Sequence, residues 1–131
     1  MELVSIVVAA LAGFAVGAVW YMGLSRPWME AADLPRGPDG RPLEMSSLKP
    51  FLLALLAMVL VAAMMRHLFI LAGIEGAGRS FLMGLGIGAF FVTPWLAMDY
   101  AYSMRDRRLT WIDGGYAILG CGVIGLVLGL V

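Results

Sequence analysis

Four apolar runs, each at or near the length needed to cross a lipid bilayer, take up most of this 131-residue chain. They cover residues 3–24, 51–72, 81–103 and 114–131. A transmembrane helix needs about 20 mostly apolar residues, because each adds about 1.5 Å and the hydrocarbon layer is about 30 Å thick. The runs predict an all-α integral membrane four-helix bundle, a single domain over 1–131 with helices at about 3–24, 50–72, 80–103 and 113–131.

Composition excludes several classes of function. Apolar residues make up 62% of the chain and charged residues 14%, so lipid rather than water is the expected solvent. Outside the four runs only residues 25–49 could hold further structure, which leaves no room for a soluble catalytic module, and we predict that the protein is not an enzyme. The net charge of zero argues against a nucleic-acid partner, since binding phosphates needs a basic face.

The chain has a single cysteine, Cys121, and a single histidine, His67. An intramolecular disulfide, a Cys-x-x-Cys pair and a multi-cysteine zinc site are therefore excluded within one chain. Cys121 lies in an apolar run and suits a packing role. We predict no metal and no cofactor.

Basic residues predict the orientation. Seven fall in the two connections on one side of the bundle, at Arg26, Arg36, Arg41, Lys49, Arg105, Arg107 and Arg108, whereas the other side has only Arg79. Basic loops favour the cytoplasm, so we expect a cytoplasmic loop at 25–49, both chain ends outside, and a bacterial cytoplasmic (inner) membrane as the location. Glu2 stands where a signal peptide would carry basic residues, which favours retention of the first span.

The connections between spans carry boundary signals. Pro27, Pro35, Pro38 and Pro42 with Gly37 and Gly40 predict a turn-rich first connection without regular structure. Ser46 and Ser47 before Pro50 suggest the start of the second span, and Asp113 before Gly114 suggests the N-cap of the last.

Small residues repeat every four positions in three of the spans. The ladders are Ala9-Gly13-Gly17, Ser80-Gly84-Gly88 and Cys121-Gly125-Gly129. Helices in lipid gain little from apolar attraction to each other, so small residues that permit close approach mark contacts. We predict helix packing through Gly13, Gly17, Gly84, Gly88, Gly125 and Gly129, within one bundle or between copies.

Three ionisable residues lie within spans: Arg66, His67 and Asp99. Such residues are costly in lipid and often functional. Arg66 could reach outward to water or pair with Glu75; alternatively, Arg66 and His67 could bind an anionic lipid head group or take part in a proton path.

All tryptophans and tyrosines map to the cytoplasmic end of the bundle. We predict that Trp20, Tyr21, Trp95, Asp99, Tyr102 and Tyr116 converge into a pocket around Asp99, where Pro94 frees a backbone carbonyl. A carboxylate among aromatic rings suits a cationic or amphipathic ligand. The alternatives are that the rings are interfacial anchors and that Asp99 is an interfacial carboxylate paired with a tyrosine, a tryptophan or Arg105.

Two segments carry a resemblance. The segment from Gly17 through Trp20 and Tyr21 to Trp28 resembles the opening of the family catalogued as domain of unknown function 1761, and Asp113-Gly114-Gly115-Tyr116 is similar to it as well. Members are small bacterial membrane proteins with four helices. The resemblance implies this fold, and it implies no activity or catalytic residue.

Two function classes fit these features. An accessory or structural subunit of a membrane assembly is favoured by the small size, the glycine ladders and the lack of a catalytic motif. The alternative is a protein that binds or transports a small molecule or lipid through the pocket around Asp99. Membrane lipids and a larger complex or homo-oligomer are the expected partners.

The charge asymmetry predicts the outcome of a reporter experiment. Topology reporters fused at residue 40 and at the C-terminus should report opposite sides of the membrane, with residue 40 cytoplasmic. An external signal at residue 40 would overturn the orientation.

Overall fold

The computed structural model describes residues 2–33, 38 and 48–131. Its elements are helices α1 (Glu2–Gly23), α2 (Ser25–Ala32), α3 (Lys49–Leu71) and α4 (Ala77–Ile87), a π-helical turn (Gly88–Val92), and helices α5 (Thr93–Tyr102) and α6 (Arg107–Leu130). α4, the π turn and α5 form one continuous span. Within the described residues, four helices are long and apolar enough to cross a membrane, and this confirms the predicted all-α, four-span architecture.

The last helix begins earlier than the sequence suggested. α6 starts at Arg107, and its N-cap is Asp106, whose carboxylate accepts a hydrogen bond from the Arg108 amide at 2.9 Å. Asp113 lies inside the helix, so its predicted role as N-cap is wrong. Hydropathy marks where the hydrocarbon layer ends, whereas a helix can continue through the polar interface if its first turn is capped.

The first connection contains a helix that the sequence did not predict. α2 follows α1 almost directly and buries Met29 and Ala31, while Pro27 falls in its first turn, where a missing amide proton is tolerated. We call the end of the bundle that carries α2 the α2 end, and the end with the α3–α4 connection the hairpin end. Other residues named from the sequence lie outside the described residues: Pro35, Arg36, Gly37, Gly40, Arg41, Pro42, Ser46 and Ser47.

α6 is the axis of the bundle. It contacts every other helix and the π turn. In its most apolar stretch 44% of residues are buried, against 17% in α3 and 11% in the span formed by α4 and α5. The other spans therefore surround α6 and turn most of their surface outward, as expected where lipid is the solvent.

Small residues bring α4 and α6 into backbone contact. The two ladders run antiparallel: a Cβ added at Gly84 would overlap the carbonyl of Cys121, and one at Gly125 the carbonyl of Ser80. Gly88 meets Ala117 in the same way, and at Gly129 the added atom would lie 2.8 Å from the Gly76 carbonyl oxygen. Only glycine permits this approach.

α1 packs on the opposite side of α6. An added Cβ would lie 2.8 Å from the Ile124 side chain at Gly13, and 2.8 Å from the Tyr116 ring at Gly17. All six glycines named from the sequence thus lie at contacts between helices. The buried core continues toward α3 through Ala9, Ala10, Ala62, Met65, Phe69, Cys121, Ile124 and Leu128.

The third span is interrupted by the π turn. Thr93 donates its amide to the carbonyl of Gly88, five residues back, and its hydroxyl donates to the same oxygen at 2.7 Å. The next residue is Pro94, which has no amide proton to continue the α-helical pattern. One extra residue is accommodated here, and this sets which face of α5 meets α6.

We expect a matched pair of glycine substitutions to separate packing from helix propensity. Gly125→Ala should lower the free energy of unfolding by about 1–3 kcal/mol, because the methyl group overlaps backbone. Gly86→Ala should be neutral or stabilising by up to about 1 kcal/mol, because nothing lies within 4 Å of its added Cβ. Thermal unfolding in detergent measures both, and equal midpoints would contradict the backbone contact.

Candidate functional site

The carboxylate at the aromatic α2 end is Asp113, not Asp99. Asp113 on α6 accepts one hydrogen bond from the hydroxyl of Tyr21 on α1 and another from the hydroxyl of Tyr100 on α5. Each donor uses a different carboxylate oxygen. One side chain therefore ties three helices together.

Aromatic rings pack around this carboxylate. The Tyr21 ring makes edge contacts with Tyr116 at a centroid distance of 5.5 Å and with Trp28 at 5.6 Å. Such contacts add to the apolar burial. We call this group the Asp113 cluster; it comprises Trp20, Tyr21, Trp28, Tyr100, Asp113 and Tyr116.

The polar groups of the Trp20 and Tyr116 rings donate hydrogen bonds to backbone carbonyls of the neighbouring helix. Trp20 donates from Nε1 to the Ile112 carbonyl at 2.9 Å, and Tyr116 donates to the Gly13 carbonyl at 2.9 Å. An added Cβ at Gly115 would lie 2.6 Å from the Trp20 ring, so the ring fits only because Gly115 has no side chain. Together with the hydrogen bonds to Asp113, these hydrogen bonds form a clamp between helices, because the donors are used within the protein.

The predicted pocket thus assembles only in part. Trp20, Tyr21 and Tyr116 come together, whereas Trp95 and Tyr102 are 66% and 86% exposed and Asp99 is also exposed. Trp95, Asp99 and Tyr102 do lie on one helical face, as their spacing requires. That face of α5 is turned away from α6. The expected convergence on Asp99 is therefore replaced by convergence on Asp113.

Sequence reasoning missed Tyr100 and misread Asp113. The face of α5 that meets α6 carries Thr93 and Tyr100, seven residues apart and so two turns along one stripe. Thr93 Oγ lies 3.3 Å from the Gly114 carbonyl oxygen, beside Asp113. The available signal was the spacing of seven residues between Thr93, which precedes Pro94, and Tyr100. That spacing identifies the face toward α6 only when the π turn is known.

Polar contacts at the α2 end attach α2 to the start of α6. Arg108 pairs with Asp106 at 2.9 Å and with Glu30 at 3.4 Å, and Arg105 donates to the Ala32 carbonyl at 3.2 Å. Hydrogen bonds from the Arg108 side chain and amide lower the pKa of the Asp106 carboxyl. These groups are exposed, so each contact between α2 and the start of α6 contributes little to stability.

A cavity of about 330 Å³ lies at the hairpin end, between the ends of α3, α4 and α6. Its polar side chains are Arg66, Glu75 and Ser80, and the rest of its wall is apolar or glycine: Phe69, Ile70, Gly73, Ile74, Gly76, Leu128, Gly129, Leu130 and Val131. The cavity therefore combines a cation, a carboxylate and an apolar surface.

Arg66 has an unmet hydrogen-bonding requirement in this cavity. Its Nε is buried and has no hydrogen-bond partner, and among the described residues no carboxylate lies within 4.0 Å of its guanidinium. The expected alternative of an ion pair with Glu75 is therefore not formed. His67 is exposed and does not line the cavity, because adjacent residues point about 100° apart on a helix.

Comparison with known proteins identifies a family. A family model described as "Protein of unknown function (DUF1761)" matches residues 4–129. No curated protein and no solved structure matches the chain.

Loss of one hydroxyl from the Asp113 cluster should destabilise the bundle. Tyr21→Phe and Tyr100→Phe should each lower the free energy of unfolding by about 1–3 kcal/mol, because each leaves a half-buried carboxylate oxygen without its donor. The matched control is Tyr102→Phe, whose side chain is exposed and should change stability by less than about 0.5 kcal/mol. Thermal unfolding in detergent tests the difference, and equal losses in all three variants would exclude the clamp.

Proposed function

Because the chain belongs to the DUF1761 family of proteins of unknown function, we propose a function from the geometry: it binds the anionic group of a lipid or amphipathic small molecule in the hairpin-end cavity. Arg66 is the residue that we assign to the anion. The observation that carries this proposal is the Nε of Arg66, which is buried beside an open cavity and has no hydrogen-bond partner in the part of the chain that the structure describes.

The guanidinium of Arg66 is energetically costly in this position, since its Nε has no acceptor among the described residues. A cation within a span costs about 2.5–3.5 kcal/mol on insertion scales, and a buried donor without an acceptor adds to that cost. A phosphate or carboxylate offers two oxygens in the planar geometry that guanidinium binds best. Binding an anion would satisfy Nε and neutralise the charge together.

The shape of the cavity agrees with a small amphipathic group. Ligand sites commonly enclose roughly 300–1,000 Å³, and this cavity, at about 330 Å³, is at the lower limit. Ile70 and Leu130 line it and are 56% and 68% exposed on the outer surface. A ligand could therefore place its polar group inside and leave its apolar part in lipid.

A role as an accessory or structural subunit remains our second proposal. α3 turns a broad apolar surface outward, which either lipid or another membrane protein, including a second copy, could cover. We also propose that the protein is not an enzyme and that it resides in a bacterial cytoplasmic membrane with its α2 end inside. The basic residues Arg26, Lys49, Arg105, Arg107 and Arg108 near that end support this orientation.

Lipid-dependent stabilisation tests the site. Phosphatidylglycerol added to the detergent-purified protein should raise the unfolding temperature of the wild type, corresponding to about 2.7 kcal/mol when the lipid is 100-fold above its Kd. The rise should disappear in Arg66→Gln and persist in Arg79→Gln, which removes an exposed arginine outside the cavity lining. Without added lipid, Arg66→Gln should be at least as stable as the wild type, because it removes an unpartnered buried donor.

Equal lipid-induced shifts in the wild type and Arg66→Gln would reject the proposal. Loss of the shift in Arg79→Gln as well would also reject it, since this result indicates nonspecific attraction to positive charge.

A further inference from the structure

Two side chains of opposite charge line the hairpin-end cavity and do not form an ion pair with each other. Arg66 projects from α3, and Glu75 belongs to the connection between α3 and α4; both line the same cavity. Neither forms an ion pair with the other. A cavity lined by a cation and a carboxylate, neither of which has an ion-pair partner among the described residues, is suited to a ligand that carries both charges.

Backbone hydrogen bonds fix the two residues that precede Glu75 in the connection. Gly73 has a φ of 66°, its amide donates to Ile70, and the Ile74 amide donates to the Phe69 carbonyl at 2.8 Å. This is the Schellman pattern that ends helices, with Ile74 packed against the core that contains Phe69. Glu75 directly follows this anchored residue, so the end of α3 sets where Glu75 enters the cavity wall.

We propose that the cavity recognises a zwitterionic phosphate–ammonium head group, of the phosphoethanolamine type. This inference rests on the proposed anion site and assigns the ligand's second charge. The phosphate accepts hydrogen bonds from Arg66, and the primary ammonium donates to Glu75. The apolar wall formed by Ile70, Ile74 and Leu130 contacts the glycerol and the upper acyl chain.

Charge complementarity gives the discrimination. A head group with only a negative charge satisfies Arg66 but places a neutral group beside Glu75 and gains nothing there. A head group with an ammonium gains an ion pair at Glu75, which favours it by roughly three- to tenfold at this exposed rim. The specificity therefore comes from Glu75, whereas the affinity for phosphate comes from Arg66.

The phosphoethanolamine group could reach the cavity as part of a bilayer lipid or as part of a water-soluble compound. Phosphatidylethanolamine would enter sideways between α3 and α6, where Ile70 and Leu130 are exposed, and its soluble counterpart is glycerophosphoethanolamine. The exposure of these apolar residues favours the lipid. Both compounds are therefore used as probes.

The experiment compares the binding of two lipids to the wild type, to two variants that each lack one carboxylate, and to Arg66→Gln. Binding of phosphatidylethanolamine and phosphatidylglycerol to the full chain in detergent is measured by native mass spectrometry and by thermal shift. The wild type and Glu2→Gln, which changes a carboxylate outside the cavity lining, should prefer phosphatidylethanolamine by roughly three- to tenfold. Glu75→Gln should reduce that preference to parity while keeping phosphatidylglycerol binding. Arg66→Gln should weaken both lipids.

The outcomes separate this inference from the anion site. Equal binding of both lipids to the wild type, lost in Arg66→Gln, overturns the zwitterion and leaves the anion site intact. Binding of both lipids unaffected by Arg66→Gln overturns the anion site itself. A wild-type shift from glycerophosphoethanolamine that exceeds the shift from glycerophosphoglycerol supports the zwitterion with a soluble source, and persistence of that difference in Glu75→Gln overturns the assignment to Glu75.

Discussion

Backbone contact between α4 and α6 is the constraint on which the rest of this structure depends. In lipid, apolar side chains gain little by meeting each other, so association relies on close packing. Gly84 and Gly125 supply that packing by letting each helix touch the other's carbonyl groups. Because α6 is thereby fixed in the centre, α1, α3 and α5 can each pack on it, and both candidate sites lie along its length.

The two ends of α6 differ in how their polar groups are satisfied. At the α2 end, Asp113 accepts hydroxyls from Tyr21 and Tyr100, so the cost of placing a carboxylate among rings is offset inside the protein. At the hairpin end, the buried Nε of Arg66 has no hydrogen-bond partner among the residues that the structure describes. A polar cluster that is satisfied internally serves stability, whereas an unsatisfied one beside a cavity points to a ligand, and this contrast underlies our functional proposal.

The π turn connects packing to the site. Without the extra residue before Thr93, α5 would be rotated about its own axis by about 100° relative to α4. Tyr100 would then not meet Asp113. Thr93 and Pro94 fix the position of this turn, one through its hydroxyl and the other through its missing amide proton. A local backbone feature thus determines which of the neighbouring residues Asp99 and Tyr100 faces the bundle.

The sequence alone determined the number of spans, the all-α class and the small residues suited to close contact, because the length of an apolar run and the size of a side chain are local properties. It also identified Trp20, Tyr21 and Tyr116 as neighbours, since their position along each span sets their depth. Only the tertiary structure decided that Asp113 replaces Asp99, that α2 is helical, and that Arg66 and Glu75 share a cavity without pairing. These depend on how each helix is rotated about its axis and on a turn between two helices, which hydropathy and spacing do not encode.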